Sequence, residues 1–110
     1  MDDLPIVAKR LRKAREKAGI SQKQLGILAG IDEFSSSARV NQYERGKHAP
    51  DYLTLEHFAR VLKVDVTFFY ARDENTARFL EIWGGLSPEA RASLTEEATA
   101  MLGESRGCGR

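Results

Sequence analysis

Apolar residues recur at three- and four-residue intervals along most of the chain, and the interruptions divide it into short amphipathic helices. Leu4, Val7, Leu11, Ala14 and Ala18 form a first stripe that stops at Gly19, and Pro5 suits its first turn, where a missing N–H is no loss. Ser21 with Gln24 three residues on makes a capping box for a second helix. Leu25, Leu28 and Ala29 are its expected buried side, and Gly30 its stop. Val40 and Tyr43 share one side of a third helix ending at Gly46. Leu53, Leu55, Phe58, Ala59 and Leu62 give the clearest stripe, capped by Asp51 and ending at Val64, after which Asp65 opens a short element with Val66 and Phe69. Ala77, Leu80 and Trp83 then share one side of a helix stopped by Gly84-Gly85. Ser87-Pro88-Glu89 starts the last helix, whose seam of Ala90, Leu94, Ala98, Met101 and Leu102 runs to Gly103. The expectation is an all-α chain in which each short helix depends on its neighbours for stability.

Composition narrows the class. A chain of 110 residues, 42% apolar and 30% charged, suits one small globular domain or one domain with an appendage. No apolar run approaches the roughly 20 residues that span a bilayer. The acidic start Met1-Asp2-Asp3 lacks the basic-then-apolar plan of a signal peptide, so a cytoplasmic location is expected, without a membrane partner. Cys108 is the single cysteine, which excludes a disulfide framework or a thiolate zinc set. Two histidines, no phosphate-cradling glycine loop and no His/Cys cluster give no basis for an enzyme, a metal or a cofactor. Net charge is only +1, but residues 1–63 carry 12 Lys and Arg against 8 Asp and Glu, and residues 64–110 carry 5 against 8. A basic front and an acidic back is the asymmetry expected if only the front approaches phosphates.

The third helix concentrates the candidate chemistry. Asn41, Gln42 and Arg45 project away from the Val40 and Tyr43 side, and they are the types that read base edges: amides pair with adenine and the guanidinium fork with guanine. On the first helix, Lys9, Arg10, Arg12, Lys13 and Lys17 form a basic side that is either solvated or set against phosphates. The two helices between Asp51 and Tyr70 read as core and support.

Leu11 to Gln22, Leu25 to Gly30, Val40 to Lys47, Pro50, and Leu55 to Val64 together resemble, in that order, the Cro/C1-type (XRE family) helix-turn-helix regulators of bacteria and phage. The resemblance covers about residues 5–71 and implies a five-helix, lambda-repressor-like domain with one or two extra C-terminal helices. It also implies that Arg15 pairs with Glu44, tying the first helix to the third and pointing the guanidinium at a phosphate. Gln22, with Lys23 beside it, falls where family members touch the DNA backbone. Lys47 matches a second phosphate clamp; Arg12, from the basic side of the first helix, is the further phosphate candidate. Counted back from Gly46, Ser37 and Ala38 occupy the family positions that enter the groove, so Ser36, Ser37 and Arg39 join Asn41, Gln42 and Arg45 as base-reading candidates.

Nine residues, Ile31 to Arg39, separate Gly30 from Val40, about one helical turn more than the family usually has. Either an extra turn capped by Asp32 or a serine absorbs them, or the segment bulges from the duplex with Phe34 tucked back as an anchor; the bulge is expected. Residues 1–71 are thus expected to be the DNA-binding domain, 72–103 a helical extension and 104–110 a flexible tail. The extension either folds back or pairs with a second copy, and a homodimeric repressor on double-stranded DNA is the favoured reading. The alternative that the resemblance brings is an antitoxin, in which Trp83 and Leu94 to Leu102 mask a protein toxin.

Overall fold

The computed structural model describes residues 4–105, and among them every regular element is helical. Helix α1 (Ile6–Ala18) starts directly after Pro5 and closes at Gly19. Helix α2 (Gln22–Leu28) carries the capping box: Gln24 N–H donates to Ser21 Oγ at 3.0 Å, and Ser21 N–H donates to Gln24 Oε1 at 2.9 Å. Helix α3 spans Glu33–Glu44, with the Asp32 carboxylate accepting the Phe34 N–H at 3.0 Å. Helix α4 (Tyr52–Leu62) begins on Asp51, which accepts the Thr54 N–H at 2.8 Å, and a 3-10 turn, Val66–Tyr70, follows. Helices α5 (Glu74–Gly85) and α6 (Pro88–Ser105) complete the order.

The core forms where the predicted stripes meet. Leu11, Leu25, Val40, Leu55, Phe58 and Phe69 are fully enclosed, one or more from each of the first four helices and the 3-10 turn. Tyr43 meets Phe58 edge to face at 5.9 Å, which locks α3 onto α4. The α2–α3 crossing is tighter still. A Cβ on Gly26 would lie 2.5 Å from the Ser36 Cβ and 2.9 Å from its Cα, so only glycine allows the two helices this approach.

Several side chains differ from their sequence expectations. The insertion does not bulge: it is absorbed as an extra first turn of α3 starting at the Asp32 cap, and Phe34, expected as a tucked anchor, is 93% exposed. Leu28 is exposed as well, because so short a helix turns only Leu25, Gly26 and Ala29 inward. Arg10, expected on a basic side of α1 that is solvated or set against phosphates, is buried instead; its Nε donates to the Ala71 carbonyl at 2.9 Å and its Nη1 pairs with Glu74 at 3.0 Å.

That arginine, a Lys17–Glu81 pair at 2.9 Å and the buried Ala77 fasten α5 to α1, so packing continues past Ala71 and α5 belongs to the globular body. Helix α6 does not. It is tied to the end of α5 by Arg91, which stacks 5.4 Å over the Trp83 ring and donates to the Trp83 carbonyl at 3.0 Å. The rest of α6 runs outward, giving extents of 58 × 32 × 22 Å and a radius of gyration of 16.7 Å, against about 13 Å for a compact domain of this size. It continues through Gly103, the expected stop, to Ser105; Cys108 and the remainder of the expected tail lie outside the described residues.

Candidate nucleic-acid interface

Helix α3 has two sides set by its phase. Ser36, Val40, Tyr43 and Glu44 face inward; Phe34, Ala38, Asn41, Gln42 and Arg45, spaced at three or four residues, fall on the outward side. Of the six base-reading candidates, Ser37, Arg39 and Arg45 are exposed, and Asn41 and Gln42 are half-buried. Ser36 is the exception. It is 0% exposed, and its hydroxyl donates to the Ile31 and Asp32 carbonyls (3.0 and 2.8 Å), so it seals the α2–α3 contact and cannot meet a base. Arg39 lies on the flank, its Nη2 3.3 Å from the Tyr43 hydroxyl.

The ends of α1, α2 and α3 meet around one buried carboxylate. Glu44 accepts Arg15 Nε at 2.5 Å, Arg15 Nη2 at 3.0 Å and Gln22 Nε2 at 3.0 Å, while Arg15 Nη1 donates to the Ile20 carbonyl at 2.9 Å. The bidentate hydrogen bond to Glu44 holds the Arg15 guanidinium above its ordinary range, against a smaller opposing effect of burial. Gln22 also donates to Asn41 Oδ1 at 3.2 Å, so one amide links the start of α2 to the outward side of α3.

Beside this network is an open recess of about 570 Å³ whose lining includes Arg12, Arg15, Gln22, Asn41 and Arg45. Three guanidiniums share this concavity with Glu44, whose carboxylate is taken up by Arg15 and Gln22, and the cationic excess can take phosphate oxygens. Arg12 is paired with Glu16 at 3.1 Å across solvent, a contact weak enough to exchange for a phosphate. Lys23 and Lys47 are exposed, and neither lines the recess. Arg45 stands where the recess meets the outward side of α3, beyond which Gly46 (φ +75°) turns the chain away.

Fold and face together define a helix-turn-helix protein, with α2 braced on α3 and the outward side of α3 left open. Residues 6–67 match the family model described as helix-turn-helix domain. Among solved structures the chain is similar to the crystal structure of the transcriptional regulator BswR, with 43% identity over 91% of this chain and 98% of that one and a TM-score of 0.78. No match was found among curated proteins. The chain belongs to the XRE-type helix-turn-helix family of DNA-binding regulators.

Two structural roles were not read from the sequence. Arg10 was indistinguishable from its basic neighbours until Ala71 and Glu74 were placed beside it. Phe34 was legible in principle: counting back from Val40 by one turn lands on Ser36, which leaves Phe34 on the far side of any helix that includes both.

Proposed function

We propose that the chain is a sequence-specific regulator of double-stranded DNA that acts as a homodimer by occupying an operator and excluding polymerase. The observation that carries this is the outward side of α3, where the exposed Arg45 and the half-buried Asn41 and Gln42 fall together, with Asn41 and Arg45 lining the arginine-rich recess. In this reading Arg12, Arg15, Gln22, Lys23 and Lys47 meet phosphates and set orientation. Ser37, Arg39, Asn41, Gln42 and Arg45 meet base edges and choose sequence.

The dimer reading is supported by α6. It is an 18-residue helix, with Leu94, Ala98 and Leu102 facing Phe79 and Trp83 of α5 across an open apolar groove of about 320 Å³. A helix that shares so little packing with its own chain gains most from a two-fold partner, which would also place a second reading helix about 34 Å away, one turn along the duplex. The groove equally fits the segment with which an antitoxin covers its toxin, and co-purification of a second protein would favour that reading.

Selection from random duplexes tests the proposal. The expected product is an inverted repeat bound with a log–log salt slope near −7, from about four phosphates per half-site. A pool with no enriched sequence and a slope near zero would overturn it.

A further inference from the structure

Phe34 is placed on the open side of α3 by a turn that is built firmly. Ser36 lies so near Gly26 that no Cβ could be added there, the Ser36 hydroxyl is bonded to two carbonyls of the preceding segment, and the Asp32 carboxylate holds the Phe34 N–H. The turn is therefore fixed against α2 while its one large side chain is left 93% in solvent. Ala38 stands one turn further on, exposed on the same side, with Gln42 and Arg45 on the turns beyond it. The outward side of α3 thus runs from an apolar end to a polar one.

We propose that Phe34, with Ala38 beside it, contacts the C5-methyl group of a thymine in the major groove, extending the sequence read by α3 beyond its polar residues. This rests on the DNA-binding reading above. The thymine methyl is the apolar group that a base pair displays in that groove, and phenylalanine and alanine are side chains that meet it. Glu33, which would repel a duplex, falls on the other flank of the helix by its phase.

The test uses the full chain and its selected duplex, in which each thymine is replaced in turn by deoxyuridine, removing the methyl and nothing else. One position per half-site should bind about fourfold more weakly, the effect of one buried methyl. Phe34→Ala should bind the thymine duplex more weakly and treat thymine and uracil alike there, while Phe34→Leu keeps the preference. Unchanged melting temperatures for both variants show that the fold is retained. Uracil substitutions without effect at every position, or a preference that survives in Phe34→Ala, would overturn the inference while leaving DNA binding intact. Failure to bind any duplex would overturn the DNA reading as well.

Discussion

Replacing Glu44 by alanine isolates the contact that joins the first three helices. The Glu44 side chain is 2% exposed and accepts three hydrogen bonds, two from Arg15 and one from Gln22; the Arg15 side chain is 13% exposed. Breaking a buried ion pair by deleting one partner costs about 3–5 kcal/mol, because the other charge is left without compensation. Arg15 keeps its bond to the Ile20 carbonyl and borders the open recess, where water can reach it, which places the loss near the lower limit, about 3 kcal/mol. For a chain of this length that is a drop in melting temperature of about 12 °C. Glu44→Gln keeps the shape and one acceptor and should lose about half as much. Arg15→Ala leaves a more deeply buried carboxylate with only Gln22, and should cost at least as much as Glu44→Ala. Urea unfolding of the full chain at neutral pH, followed by far-ultraviolet circular dichroism, reads all three variants. A loss of under about 1 kcal/mol for Glu44→Ala would show that the pair does not act as an enclosed one, since exposed pairs behave that way.

Other expectations concern packing, pH and assembly. Gly26→Ala should destabilise by about 1–3 kcal/mol despite alanine's better helix propensity, because its Cβ meets Ser36; a gain in the urea midpoint would show that α2 and α3 are further apart than they are here. Asp51 and Asp73 are held below the ordinary carboxylate range, Asp51 chiefly by the Thr54 side chain and Asp73 chiefly by the Thr76 backbone N–H. Their caps therefore contribute fully above the unfolded-state value of about 3.9 and lose that contribution as pH falls through the lower folded-state values. Thermal melts of Asp51→Asn and Asp73→Asn should show a flatter acid limb than the parent, and an identical limb would count against the caps. Ending the chain after Leu86 removes α6, none of whose residues belongs to the core cluster, and should leave a folded monomer in sedimentation. A dimer that persists in the shortened chain would move the assembly surface elsewhere.

The amphipathic stripes were strong enough in the sequence to place all six α-helices and the 3-10 turn, and the capping box at Ser21 and Gln24 was legible from two residues. Orientation within an element was less so. The start of α3 depended on whether a turn-length insertion stayed helical; the Asp32 cap starts the helix early enough to include it, and the period counted back from Val40 then buries Ser36 and exposes Phe34. Serine and phenylalanine at those positions suggest the reverse by hydrophobicity alone. What sequence lacks is the Gly26 contact: a small residue opposite position 36 admits only a small side chain there, and this long-range constraint outweighs the transfer free energy of one aromatic ring. Arg10 shows the same limit for charge, since its burial is made tolerable by a carbonyl and a carboxylate from more than sixty residues away. The pairing of Arg15 with Glu44, by contrast, followed from the family resemblance and is present as a bidentate contact.

Gln42 lies near the middle of the outward side of α3, the side proposed to select sequence. The most direct measurement is the affinity of Gln42→Ala for the selected duplex and for an unrelated one at the same salt concentration. A loss of about 1–3 kcal/mol is expected on the selected duplex, with the unrelated one almost unchanged. Equal losses on both, or none on either, would contradict it.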